Sequence, residues 1–283
     1  MNVMLIAGLT LREASRRRLI LSAALIVLGF VALTAWGFHA LATARDPQGR
    51  ELPHYALMAT SGILVILMAF MFSVVLSLGA AFLGALSIGA EIENGTLLAI
   101  VPRPLRRAEI AIGKWLGNAI LIGGFAAAIA GLEFTVVHLT TGYTPPQPAV
   151  AVVYLIAQSA IVLTLTMSLS VRLPAIAAGI TTIALFGVAW LGGVVGAVAS
   201  ALQNETVHQA AVVVSLLIPT DGVWRGAVFA LEPAAIGASA ANPQQANPFA
   251  TGAPPTTAYL IWCAIWFLAM AYGGIAAFRR RDV

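Results

Sequence analysis

Charge is what this sequence has least of. Only 9% of its 283 residues are Asp, Glu, Lys or Arg, against about a quarter in a soluble globular domain. Hydrophobic residues make up 60%, and the mean hydropathy is +0.94. A chain so poor in polar side chains cannot clothe its surface for water, so its solvent is lipid. There, only helices or closed barrels satisfy the backbone. The single cysteine, Cys263, lies inside an apolar run. It excludes an internal disulfide and reads as a small buried hydrophobe. No GxxxxGK[ST] loop occurs, so the chain lacks that cradle for nucleotide phosphates. No basic stripe is interleaved with aromatics, which argues against a nucleic-acid partner. The four histidines, His39, His54, His138 and His208, form no HxxxH pair. His138 follows Glu133 by five residues, off the i, i+4 spacing that aligns two ligands on one helix face, so no metal site is expected. Acids and histidines are too dispersed for a catalytic centre, and no residue is assigned a catalytic role.

What is present is a series of long apolar runs. Barrel strands would alternate over about ten residues; these runs are about twenty or longer, which is the length of a membrane-spanning helix. Six spans are expected: Leu19–Leu41, Tyr55–Ala90, Trp115–Leu139, Val150–Ser170, Ala175–Ala201 and Ala258–Phe278. The second is longer than a bilayer requires, so it tilts or projects. Before the first run, a mostly apolar segment is followed by Arg12, Arg16, Arg17 and Arg18. A signal peptide places its charges first, so residues 1–18 read as a helix on the membrane surface leading into an uncleaved span. Residues 203–257 hold one short apolar run, Ala210–Ile218, interrupted afterwards by Pro219, Asp221 and Arg225. They read as a large exposed loop with one or two short helices on, or dipping into, the membrane. The whole is one transmembrane domain, 1–283, with a polar loop at 91–114.

Six spans place twelve basic residues on one side: Arg12, Arg16, Arg17, Arg18, Arg103, Arg106, Arg107, Lys114, Arg172, Arg279, Arg280 and Arg281. The other side keeps Arg45, Arg50 and Arg225. The bias of Lys and Arg toward cytoplasmic loops makes the first side cytoplasmic, with both termini on it and 203–257 outside. A seventh span through 210–231 would send the C-terminal arginines across and spoil that asymmetry.

Four further features stand out. In Glu91–Lys114, acids precede an Asn94-Gly95 turn signal. A short apolar patch ends at Pro102-Arg103-Pro104, and Arg106-Arg107 restarts a helix. That makes an elbow suited to docking another protein, or else an ordinary basic loop that fixes topology. Glu133 is the clear acid inside a span, where isolated carboxylates are costly. It lines a path, bonds a neighbouring helix, or sits wetted at the outer end of its span. Trp115 and Trp262 fall near span ends, where aromatic belts anchor helices. Gly192-Gly193-x-x-Gly196 is a small-residue set that permits close helix packing, or a mere consequence of an Ala- and Gly-rich composition.

The pattern Glu91-x-Glu93-x-Gly95-Thr96, Pro102-x-Pro104-x-Arg106-Arg107-x-Glu109-Ile110, Gly113-Lys114 resembles the cytoplasmic loop of type-2 ABC transporter permeases. More closely, it is similar to the six-span bacterial permeases that include the NosY-like copper-processing group. Leu217–Arg225 resembles a Pro-Asp-Arg segment before the last span in these proteins, and Phe278-Arg279-Arg280-Arg281-Asp282 resembles their C-terminus. The resemblance implies an all-α permease subunit of an ATP-driven exporter in the bacterial cytoplasmic membrane, without an ATPase site of its own. ATP and Mg would be held by two copies of a separate ATPase. A coupling helix would dock there through Glu91, Glu93, Asn94, Gly95, Thr96, Pro102, Arg103, Pro104, Arg106 and Arg107. It further implies pairing with a second permease copy or paralogue, and leaves room for an external accessory protein. The competing classes are an ion-driven secondary transporter, which would need several buried charges near the midplane, a membrane enzyme, and a membrane anchor without transport.

Overall fold

The computed structural model describes residues 2–16, 19–45, 49–93, 107–233 and 251–280. These form nine helices: α1 Asn2–Arg16, α2 Leu19–Ala42, α3 His54–Glu93, α4 Arg107–Thr141, α5 Pro148–Ser170, α6 Ala175–Ala201, α7 Glu205–Leu217, α8 Thr220–Leu231 and α9 Thr257–Arg280. Among the described residues the only β pairing is an isolated bridge between Arg45 and Glu51. The all-α membrane fold expected from composition is the fold observed.

Helices α3, α4, α5, α6 and α9 are each long and apolar enough to cross a bilayer. α2 has 24 residues, about 36 Å at 1.5 Å per residue, and exceeds the ~30 Å hydrocarbon core. Two helices outrun their apolar stretches. α3 has 40 residues, roughly 60 Å, and α4 begins at Arg107, eight positions before the apolar run at Trp115. A helix leaving the bilayer needs no apolar side chains to continue, so hydropathy does not mark its end.

Turn chemistry separates the spans. Gly142 ends α4 with φ +75°, and its N–H donates to His138 O at 2.8 Å, the usual glycine helix stop. Pro148 opens α5, where the missing N–H costs nothing. Pro174 precedes α6.

α5 is the most enclosed span. It packs on α3 through Leu155, Val162 and Leu163 against Val65, Ile66 and Leu76. The amphipathic α1 lies across the start of α4. Gly113 and Gly117 leave no room for a side chain there, because a Cβ would meet Ile6 and Val3 O at the first position and Thr10 and Ala7 O at the second. Val3, Ile6, Ala7 and Thr10 form one face of α1. Met4, Leu5 and Leu9, on other positions, are exposed, as expected for a helix seated in the membrane interface.

The α7–α8 pair supplies the two short dipping helices expected within 203–257, and they are packed into the bundle rather than exposed. The two helices meet at 96° across Ile218–Pro219. α8 is among the most buried elements, with Val223, Trp224, Ala227, Val228 and Leu231 enclosed. It runs along α5 in the opposite direction. Val223 meets Ile161, Gly226 faces Tyr154, and Gln147 N–H donates to Ala230 O at 2.9 Å. α8 therefore finishes beside the α4–α5 turn, at the same end of the bundle where α6 stops. The pair dips in and returns on one side, so it is re-entrant and adds no crossing.

Candidate functional site

Asn94, Gly95, Thr96, Pro102, Arg103, Pro104 and Arg106 lie outside the described residues. Glu91 and Glu93 fall in the last turn of α3, and Arg107 is the first residue of α4. The stems of this loop are tied. Lys114 Nζ donates to Ser87 O at 2.8 Å, joining α4 to α3. Gly89 on α3 abuts Ser170 and Ala175, the adjoining ends of α5 and α6. With α1 seated on Gly113 and Gly117, the loop emerges from a junction of five helices rather than from two free ends.

Glu133 is 3% exposed, which overturns the reading of a wetted carboxylate at a span end. It sits on α4 opposite Thr34 of α2, whose hydroxyl donates to Met68 Sδ of α3 at 3.7 Å. Among the described residues the Thr34 hydroxyl is the polar group that faces the Glu133 carboxyl, and it is not within hydrogen-bonding geometry of either oxygen. On α3, Ser73 Oγ donates to Gln158 Oε1 of α5 at 2.8 Å, while the hydroxyls of Ser61 and Ser77 are buried with no hydrogen-bond partner among the described residues. The α3 faces toward α4 and α5 thus carry polar atoms inside an apolar bundle. Sequence reasoning missed the serines, because single hydroxyls barely lower the hydropathy of a run.

The re-entrant elbow is the most elaborated polar structure among the described residues. Arg225 Nε donates to Asp221 Oδ2 at 2.8 Å across one turn of α8. Its Nη2 donates to Gly193 O of α6 at 2.7 Å. Asp221 is 5% exposed and fills the space where a side chain at Gly193 would stand. Gly192 and Gly196 likewise make room for Val214 and Ala211 of α7, so the small-residue set is a packing face. The last carbonyls of a helix have no partner within it, and in lipid each would be costly. Here α9 supplies the partners. Tyr259 Oη donates to Ser215 O at 3.2 Å, and the indole N–H groups of Trp262 and Trp266 donate to Leu216 O and Leu217 O at 2.9 Å each.

Trp262 is exposed on α9 and donates its N–H to α7. Trp115 is half-buried. Its N–H donates to Thr164 Oγ1 at 2.9 Å, and its ring stands edge-on to Phe267 at 5.6 Å. Cys263 is buried beside Ile161 and Val223, as its apolar setting suggested.

At the end where α8 finishes, outside the spans, two titratable groups are perturbed. Tyr143 Oη donates to Leu231 O at 3.1 Å, and burial pushes its phenol up to about 12. Glu232 is 6% exposed. Burial raises its carboxyl above the ordinary 4.5, opposed by the Thr251 N–H that it accepts.

A bundle of long apolar helices with an interfacial N-terminal helix and a re-entrant pair before the last span defines the class: an all-α, multi-pass membrane protein. The sequence narrows the class. Over residues 4–283 it matches the family described as ABC-2 family transporter protein, and the chain belongs to that family, as a membrane subunit of an ABC transporter. No curated protein matches it.

Proposed function

We propose that this chain is half of the translocation path of an ATP-driven exporter, working as a pair of permeases with two separate ATPase subunits that bind and hydrolyse Mg-ATP. The ATPase docks at the α3–α4 loop through Glu91, Glu93, Asn94, Gly95, Thr96, Pro102, Arg103, Pro104, Arg106 and Arg107. Both termini and that loop then face the cytoplasm of a bacterial inner membrane. The α4–α5 turn and the segment after α8 face outward, open to an accessory protein.

The observation that supports this best is the junction behind the loop. A coupling element must move several spans together, and loosely hung stems would dissipate its motion. The Lys114–Ser87 bond, the Gly89 contact and the seat of α1 on α4 bind the stems of the loop to five helices at once. Glu133 lies within the α2–α3–α4 seam of a single half, which suits an interhelix role better than the wall of a path between halves.

The test is affinity purification of the tagged chain in mild detergent. A separate ATPase is expected to co-purify, and to be lost when Glu93, Gly95 and Arg106 are replaced together. A folded permease that never retains an ATPase would refute the proposal.

A further inference from the structure

A cavity of about 130 Å³ opens between α4 and α9, floored by α3 and α5. Trp115, Met167, Phe267, Ala271, Gly274 and Phe278 are among the residues of its wall. The polar groups on that wall are already used. Trp115 N–H is bonded to Thr164 Oγ1, and Ser168 Oγ donates to Thr164 O and Met270 O at 2.7 and 3.0 Å. What remains facing the space is carbon. Apolar cavities of this size stay dry and hold a ring the size of benzene or a short hydrocarbon segment. Ile112 at its rim is 42% exposed, so the cavity is reached from the lipid side of the bundle.

The rim is basic. Val171 and Phe278 line the cavity, and the next residues in the chain, Arg172 and Arg279, are both exposed. Each Cα lies one residue, 3.8 Å, from a wall residue. Apolar wall below and guanidinium groups above match a molecule with a hydrocarbon tail and an anionic head. Basic pockets between spanning helices recognise anionic headgroups on this physical basis, and guanidinium forks suit phosphate oxygens.

We propose that the α4–α9 groove is a binding site for an anionic phospholipid, with an acyl segment against Trp115 and Phe267 and its phosphate on Arg172 and Arg279. The site stands independently of the ATPase docking argued above. It places a lipid between the span that begins the coupling junction and the least enclosed span of the bundle.

Tryptophan quenching by brominated acyl chains tests the proposal on the full chain in detergent–lipid mixtures. The Trp115 component is the difference between the chain and Trp115→Phe. Brominated phosphatidylglycerol is expected to quench it with at least about fivefold higher apparent affinity than brominated phosphatidylcholine, the worth of one arginine near an anionic headgroup. That preference is expected to vanish in Arg172→Gln/Arg279→Gln and to return in Arg172→Lys/Arg279→Lys; Arg280 and Arg281 are left to hold the topology. Equal quenching by the two lipids would mean bulk lipid only and would overturn the site. No quenching by either would mean that protein, such as a second copy, fills the groove, and would also overturn it. Native mass spectrometry gives a reading independent of Trp115: the chain should retain bound phosphatidylglycerol, and Ala271→Phe, which fills the groove, should lose it. Undiminished retention by Ala271→Phe would contradict the assignment.

Discussion

Gly193→Ala and Gly187→Ala are the same chemical change on the same helix, and the structure gives them opposite signs. Both add one methyl group to α6. At Gly187 nothing lies within 4 Å of the new Cβ. The change should be neutral or stabilise by up to about 1 kcal/mol, the helix-propensity gain of Ala over Gly. At Gly193 the methyl would occupy the space of the Asp221 carboxylate. Overpacking alone costs about 1–3 kcal/mol. The displaced Asp221 also strains its pair with Arg225, which is anchored to Gly193 O. Separating a fully buried pair costs about 3–5 kcal/mol. Because Arg225 is 27% exposed, only part of that applies, and a total of about 2–4 kcal/mol is expected. The assay is thermal unfolding in detergent with a fluorogenic thiol reagent, since the only cysteine, Cys263, is buried and reacts as the fold opens. Gly193→Ala should melt well below the wild type and Gly187→Ala at or above it. Equal shifts for the two would refute the close approach of α8 to α6.

Replacing Trp262 and Trp266 by Phe keeps both rings but removes two donors to the end of α7. Interhelical hydrogen bonds in membranes average about 0.6 kcal/mol, so the double variant should lose roughly 1 kcal/mol and label Cys263 faster below its melting temperature; unchanged labelling would contradict the capping role. Gly113→Ala should lift α1 from α4, because the Cβ would meet Ile6 Cβ at 2.7 Å and Val3 O at 2.9 Å, and hydrogen exchange over residues 2–16 should rise while α5 stays protected. Glu232 has a folded pKa above its ordinary 4.5, so its contribution is fully present below pH 4.5 and lost as pH rises through the folded value. Glu232→Gln should therefore gain melting temperature over the wild type near pH 7 and lose that advantage near pH 4; an equal difference at both pH values would contradict the shift.

The spans were legible because each is an uninterrupted apolar run, and lipid enforces helix on any such run. α1 was legible because its arginines follow rather than precede the apolar stretch. The projection of α3 was legible in the length of its apolar run; the extension of α4 back to Arg107 was not, since polar helix beyond the bilayer resembles loop in composition. The elbow misled for a different reason. Asp221 and Arg225 look like surface residues, yet at i, i+4 they neutralise each other and can be enclosed together. The indoles of Trp115 and Trp262 looked like interface anchors because a sequence does not say where an N–H points. Glu133 stood out in the sequence, but its enclosure by α2 and α3 depends on how three distant segments pack. The motif carrying the family resemblance, Glu91–Lys114, is described structurally only at its stems.

Docking of an ATPase on the α3–α4 loop can be read by site-specific crosslinking. With Cys263→Ser as background, single cysteines at Asn94 and Arg103 should each crosslink to a copurified ATPase, and a cysteine at Thr144, at the opposite end of the bundle, should not. Crosslinking at Thr144 with none at Asn94 or Arg103 would contradict the account.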